Sequence, residues 1–342
     1  MEKRTLPPVV TYALCALSVI ITLANQTSSA TSMSPWAGLG HYADNGAFDV
    51  WNGHYGILIT SIFIHADFRA GMGVTHLLFN LFWLYYLGTR LEKSIGSPLT
   101  LGLVVASAFV SSACELAWSG TVGVGLSGVV YAIFAFMWAG RDKYSTWKEV
   151  TTRDNLMWLA GWAILCVVTT HFGWLAIATG AHVGGAVFGY CVGMVVWCPG
   201  ERTKKPPWLP LKQWLWAAPI AVQLIVFLVA SSYAPWTWQW NYYNGVNAFN
   251  GQDYGHAITW FGRSIEQGGP PAPAWEAVGK AWHNMSITEY KAHNWAAFKY
   301  DQNQERTAMA RAGKPLPPPP PPTVKKPAAK PNSPSNPSPQ KT

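Results

Sequence analysis

The chain has 342 residues, of which only 12% are charged and half are apolar. Soluble proteins carry about twice that share of charge, so this balance argues against an ordinary soluble enzyme. The 20 tryptophans point the same way, because tryptophan collects at membrane–water interfaces. The net charge of +8 lies mostly in short gaps between apolar runs and in the C-terminal tail. A nucleic-acid binder would cluster such charge on one face or arm, so we expect no nucleic-acid partner.

The cysteines indicate neither a disulfide framework nor a zinc site. All five lie in or beside apolar runs, and none belongs to a C-x-x-C pair. In such surroundings they are typical of small buried hydrophobic residues. We therefore expect no metal and no other cofactor.

Seven apolar stretches approach the length of about 20 residues that a helix needs to cross a bilayer. We place them at 9–24, 76–91, 99–118, 122–140, 155–170, 177–197 and 213–232. The predicted fold class is all-α, a polytopic bundle of membrane helices. No clean cleavage site follows the first stretch, which we interpret as a retained span; the alternative is a cleaved signal peptide.

The basic residues predict the orientation in the membrane. Twelve of them lie at the N-terminus and in the gaps after the second, fourth and sixth stretches. The long first loop, residues 25–75, holds only Arg69, and the next two exterior loops hold none. Since basic residues mark cytoplasmic loops, we expect a cytoplasmic N-terminus and an exterior C-terminal tail. Within the first loop, the apolar run 56–64 is too short to span and predicts an interfacial or partly inserted element.

Residues 236–312 predict a small helical module that resembles tetratricopeptide (TPR) repeats. Two sets of small and aromatic residues share the TPR spacing of 34 residues: Gly245, Ala257 and Phe261 in the first, and Trp275, Val278, Gly279 and Trp282 in the second. The alternative is two unrelated amphipathic hairpins. We expect the module to dock a protein partner. Residues 313–342 include a run of six prolines and predict a disordered or polyproline segment.

Polar residues inside apolar stretches are costly, so each is a functional candidate. Ser127 lies in the fourth stretch between Gly125 and Gly128, which leave room for a substrate backbone beside its hydroxyl. Tyr131 follows one turn later on the same helix face. Taken alone, a serine in a membrane helix is more often a packing residue bonded to its own helix.

His182 lies among small residues in the sixth stretch. Gly185, Gly189 and Gly193 recur every four residues and form a smooth stripe that permits close approach to a neighbouring helix. If that neighbour is the fourth stretch, His182 can reach Ser127, and a neutral imidazole is the usual activator of a serine nucleophile. The alternative for a lone histidine is a structural hydrogen bond.

His76 and Asn80 lie one helical turn apart in the second stretch. An imidazole and an amide without an acidic neighbour suit donation to the oxyanion that a serine nucleophile creates. The alternative is a polar pair that packs two helices. The fourth and sixth stretches hold no carboxylate for a Ser-His-Asp triad, so the predicted chemistry is that of a dyad. Glu115, near the outer end of the third stretch, has no assigned role.

These residues together resemble the rhomboid intramembrane serine proteases. The matching motifs, which cover residues 10–198, are Gly125-x-Ser127-Gly128-x-x-Tyr131, Ala181-His182-x-x-Gly185, His76-x-x-x-Asn80, Gly88-x-x-x-Glu92-x-x-x-Gly96 and Ser61-Ile62-Phe63-Ile64-His65. The resemblance implies Ser127 as nucleophile and His182 as general base, with Tyr131 packed against the imidazole. It implies His76 and Asn80 as oxyanion donors, with backbone N–H groups near Ser127. It also implies transmembrane protein substrates, cut at small residues near the membrane surface.

The resemblance divides the chain into a six-span protease core at 1–200 and a basic linker with a seventh span at 201–235. One departure is a polar, glycine-rich link between His65 and His76, which contains Asp67, Arg69, Gly71 and Gly73. We expect a multi-pass protein of a bacterial inner (cell) membrane. An inactive rhomboid-like scaffold that binds transmembrane clients is the alternative function, although it would normally lack the serine or the histidine. A solute transporter would show an internal repeat across its spans, and we find none.

Overall fold

The computed structural model describes residues 7–27, 45–66, 68, 73–174, 177–197 and 211–316. In these residues every regular element is helical, which confirms the predicted all-α class. The bundle consists of α1 (Val9–Thr27), α2 (Asn45–Trp51), α3 (Ile57–Thr60), a 3₁₀ turn (Ser61–Phe63), α4 (Gly73–Ile95), α5 (Ser97–Ser119), α6 (Ser127–Ala139), α7 (Ser145–Val150), α8 (Arg153–His171), α9 (Thr179–Trp197) and α10 (Leu211–Ala230). Four helices follow it: α11 (Trp238–Asn250), α12 (Tyr254–Glu266), α13 (Pro271–Lys291) and α14 (Trp295–Ala312).

Each of the seven predicted apolar stretches overlaps one helix. In chain order these helices are α1, α4, α5, α6, α8, α9 and α10. Three of the described helices are long and apolar enough to cross a membrane: α1, α5 and α9. One predicted boundary was wrong. The fourth stretch was expected to be helical from residue 122, but α6 begins only at Ser127. The cause is Gly125, whose φ of +95° lies outside the helical region and breaks the run before the serine.

Polar and apolar side chains are distributed as a lipid environment requires. Large apolar side chains point outward along the bundle, among them Trp158 and Ile164 of α8 and Leu228 of α10. Polar side chains are instead buried inside it, including Asn80, Ser107, Ser111, Glu115 and His182. A soluble protein would show the reverse. With the apolar helices, this pattern is that of an integral membrane protein.

Helix α6 lies at the centre of the bundle and packs against α4, α5 and α9. Its side chains Val129, Ile133 and Met137 are fully buried. The short apolar run of the first loop forms α3 and the 3₁₀ turn, and its Leu58 and Ile62 are also buried within the protein. Irregular backbone at such depth is acceptable only when protein surrounds it. Residues 57–63 of the first loop are therefore part of the bundle.

Helices α11–α14 form two hairpins. In the first, α11 and α12 have 13 residues each, and Gly245 lies directly against the Phe261 ring, at the two positions matched to a TPR repeat. The second hairpin differs, because α13 and α14 have 21 and 18 residues and Gly279 faces Met309 instead. The second pair thus departs from the 34-residue pattern. The predicted proline-rich segment from residue 317 and most of the basic linker lie outside the described residues.

Candidate active site

Ser127 is the first residue of α6 and follows a tight turn. The backbone N–H of Gly125 donates to the Ser61 carbonyl at 3.3 Å, which ties this turn to the first loop. A Cβ at Gly125 would lie 2.8 Å from Cε1 of His76, so neither the backbone conformation nor the space permits a larger residue. The first N–H groups of a helix have no partner within it, so donors cluster around Ser127.

His182 of α9 meets this serine. Its Nε2 lies 2.7 Å from Ser127 Oγ. The stripe of glycines makes the approach possible, because a Cβ at Gly185 would collide with the carbonyl oxygen of Gly128. Gly189 has the same relation to the carbonyl of Ala132 on α6. The backbones of α6 and α9 thus lie in direct contact at these glycines, on the same face as His182 and Ser127.

Tyr131 holds the imidazole in place. The rings of Tyr131 and His182 stack with centroids 4.7 Å apart and an angle of 23° between their planes. The Tyr131 hydroxyl donates to the Leu159 carbonyl of α8 at 2.6 Å, which fixes the phenol ring. Among the described residues, His182 Nδ1 is buried without a hydrogen-bond partner. The stacking on Tyr131 and the contact with Ser127 fix the orientation of this imidazole.

His76 and Asn80 of α4 converge on the turn before Ser127. Gly125 has no Cβ, and the space that a Cβ would fill lies between the two side chains. That position is 2.9 Å from His76 Nε2 and 3.4 Å from Asn80 Nδ2. Asn80 Nδ2 donates one proton to the His76 carbonyl at 2.9 Å and has a second to offer. His76 Nδ1 accepts a long hydrogen bond of 3.5 Å from the Ala66 N–H, an arrangement that places the ring proton on Nε2. Both side chains can thus donate to a group above Gly125.

Sequence reasoning gave no role to three other polar side chains around these helices. His65 lies against His76 with ring centroids 5.1 Å apart, and its Nδ1 contacts the Thr22 hydroxyl at 3.1 Å. Gln223 of α10 donates to the Gly184 carbonyl at 2.8 Å and so ties α10 to α9. Glu115 accepts the Ala181 N–H. For Glu115 and Gln223 the sequence signal was a polar residue inside an apolar stretch, and His65 ended the motif at residues 61–65.

The polar link before His76 falls largely outside the described residues, since Asp67, Arg69 and Gly71 are among those not described. Gly73, its fourth notable residue, begins α4. Across the described parts of the chain, no three His, Cys, Asp or Glu side chains form a group that could hold a metal ion. The cysteines described there, Cys15, Cys114, Cys166 and Cys191, are unpaired.

Part of the chain is similar in sequence to known proteins. The family model of the Rhomboid domain matches residues 49–199. Proteins named Rhomboid protease GlpG from Salmonella paratyphi A and Salmonella choleraesuis are 32% identical to the chain over 150 residues. The match covers 43% of this chain, and the chain spans about half, 49%, of the length of each of these relatives. The matched region holds α4 to α9, with the turn at Gly125 and both members of the Ser127–His182 contact. Residues 49–199 of the chain are therefore similar to the Rhomboid domain, over somewhat less than half of its length.

Proposed function

We propose that the protein is an intramembrane serine endopeptidase that uses a Ser127–His182 dyad. The single observation that carries the proposal is the 2.7 Å contact between Ser127 Oγ and His182 Nε2 inside a bundle with a lipid-facing surface. A serine and a histidine at this distance form the smallest unit that can activate a hydroxyl nucleophile. The similarity to proteins named Rhomboid protease GlpG supports the same reaction class.

In this mechanism Ser127 Oγ attacks the carbonyl carbon of a substrate peptide bond while His182 Nε2 accepts the hydroxyl proton. The carbonyl oxygen becomes an oxyanion, which His76, Asn80 and a backbone N–H near Ser127 stabilise by hydrogen bonds. The C–N bond then breaks, and His182 returns the proton to the leaving amine. A water molecule, deprotonated by His182, hydrolyses the acyl-enzyme by the same steps. Gly125, Gly128 and Gly185 keep these groups close enough to react.

The proposed substrates are transmembrane proteins cut near the membrane surface. Ser127 lies at the N-terminal end of α6, and the distribution of basic residues supports an exterior position for that end. We infer from the same distribution a cytoplasmic N-terminus, seven spans and an exterior tail in a bacterial inner membrane. The TPR-like hairpins would then face a protein partner or the exposed part of a substrate.

Reaction of the purified full chain with a fluorophosphonate probe tests the proposal, because such probes bond covalently to activated serines. We expect labelling of wild type and none of Ser127→Ala. Ser107→Ala is the matched control, since Ser107 is buried in α5 and its hydroxyl bonds to its own helix at the Leu103 carbonyl. Labelling that persists in Ser127→Ala would contradict the proposed nucleophile. If the wild-type protein is folded and binds a transmembrane protein but does not react with the probe, the scaffold alternative is favoured.

A further inference from the structure

Glu115 is a buried carboxylate with no part in the chemistry described above. It lies on α5 and is 4% exposed. Its Oε2 accepts the Ala181 N–H at 3.0 Å, and the Gly180 N–H also bonds to the carboxylate. These two N–H groups belong to the first turn of α9, where the helix leaves its donors unsatisfied.

The residue that follows this capped turn is His182. Glu115 also contacts the segment that leads to the serine, because a Cβ at Gly123 would lie 3.3 Å from Glu115 Cγ. One side chain therefore touches both backbone segments that present the dyad. On this basis, which rests on the proposed function, we propose that Glu115 is the positioning residue for His182. It holds the start of α9 at the depth where the imidazole reaches Ser127.

Glu92 is a suitable control, because it is also a buried carboxylate that accepts N–H groups from the start of a neighbouring helix. Glu92 of α4 is 3% exposed and accepts the Val10 and Thr11 N–H groups at 2.9 and 2.8 Å. It therefore ties the first turn of α1 to α4 much as Glu115 ties α9 to α5. Helix α1 contributes none of the proposed site residues. Loss of Glu115 leaves two N–H groups unpaired, and loss of Glu92 leaves two N–H groups and the hydroxyls of Thr11 and Ser97 unpaired. Only loss of Glu115 frees the helix that carries His182.

The test compares Glu115→Leu with Glu92→Leu in the full-length protein in detergent. The measurements are kcat and KM on a transmembrane reporter, the fluorophosphonate labelling rate and the melting temperature. For Glu115→Leu we expect kcat and the labelling rate to fall about 10²-fold with KM unchanged, because displacement by about 1 Å has that effect on reacting groups. Glu92→Leu should lower the melting temperature at least as much, because Glu92 accepts four hydrogen bonds, and should leave the labelling rate of the folded protein unchanged. Glu115→Gln keeps an acceptor oxygen and should restore most of the rate.

If Glu115→Leu cannot be recovered folded, Glu115→Asp takes its place, with Glu92→Asp as its control. Aspartate keeps the charge but is one methylene shorter, so we expect a smaller fall in kcat, again without a change in KM. Equal labelling rates in wild type and the Glu115 variant would overturn the inference alone. The same is true if the Glu115 and Glu92 variants lose activity in parallel with their melting temperatures. An unlabelled wild type would overturn the proposed function itself.

Discussion

The bundle and the hairpins that follow it both pack helices through glycine, but the glycines face different partners. In the bundle, Gly185 and Gly189 of α9 lie against carbonyl groups of α6. In the hairpins, Gly245 lies against the ring of Phe261, and Gly279 lies against the flexible side chain of Met309. Backbone against backbone leaves no freedom to adjust, whereas a ring or a thioether can move. The rigid contact occurs where two reacting atoms must stay within hydrogen-bond distance, which is what proposed catalysis requires.

Buried polar side chains bridge helices in both regions. In the bundle they link one helix to another, as Glu115 links α5 to α9 and Gln223 links α10 to α9. In the hairpins a contact of 3.1 Å joins the buried Glu305 of α14 to His283 of α13, beside a core of apolar side chains such as Phe261. A region that docks a partner needs a stable shape, while a region that performs chemistry needs fixed distances. The following predictions test whether activity depends on the bundle alone.

The largest expected effect comes from removing either member of the dyad. Ser127→Ala or His182→Ala should lower the cleavage rate of a transmembrane reporter by about 10⁶-fold, the loss found when a serine protease loses its nucleophile or base. The melting temperature should stay close to that of wild type, because each change removes few packing contacts. Cleavage near the wild-type rate in Ser127→Ala, with contaminating proteases excluded, would show that another residue performs the reaction.

The proposed oxyanion donors should have a smaller effect. His76→Ala and Asn80→Ala should each lower kcat by up to about 10²–10³-fold, the effect of removing one such donor in other enzymes. The fall in kcat is limited because the remaining donor and the backbone N–H groups near Ser127 still stabilise the oxyanion. Cleavage assays of the two single variants measure this. If both variants match wild type, the two side chains serve only to pack α4.

Gly185→Val tests the backbone contact itself. A branched side chain would collide with the Gly128 carbonyl and force α9 away from α6, so we expect cleavage to fall by about 10²-fold. Gly161→Val is the matched control, because a Cβ at Gly161 on α8 meets nothing within 4 Å. Gly245→Val should disturb the first hairpin and leave cleavage intact. Normal activity in well-expressed Gly185→Val would show that this face tolerates separation.

The sequence predicted those features that leave a local signal. Polar residues in apolar stretches identified Ser127, His182, His76 and Asn80, and the repeat of glycines identified the close contact of α9. The start of α6 was misplaced because Val122, Val124 and Leu126 continue the apolar run through the turn at Gly125. The bonds of Glu115 and Gln223 could not be predicted, since each joins residues far apart in sequence. Neither could the contact between the first loop and the hairpins.

That contact joins α2 of the first loop to α11. Its aromatic members are Phe48 and Trp51 on α2 and Trp240, Tyr242 and Tyr243 on α11. The Tyr243 hydroxyl also donates to Asn52 at 2.8 Å, and Gln239 of α11 donates to the Ser119 carbonyl at the end of α5 at 3.0 Å. The first hairpin is therefore attached to the bundle, on the side formed by α2 and α5. The proposed reacting groups lie on α4, α6 and α9, and none of these aromatic residues belongs to the proposed site.

The smallest effect on chemistry should follow removal of the hairpins. Deleting residues 236–342 should preserve cleavage of a minimal transmembrane substrate and change cleavage of a substrate with a long exterior segment. It should also lower the melting temperature by a few degrees, because hydrogen bonds such as that of Gln239 contribute about 1 kcal/mol each. Deleting only residues 271–342 keeps the aromatic contact and should leave the melting temperature of the bundle unchanged. The measurements are side-by-side cleavage assays and a protease-accessibility test of which side of the membrane the tail lies on.

If the longer deletion abolishes cleavage of the minimal substrate while the bundle stays folded, α11 is part of the catalytic unit. The boundary between the catalytic bundle and the docking module would then lie after α11.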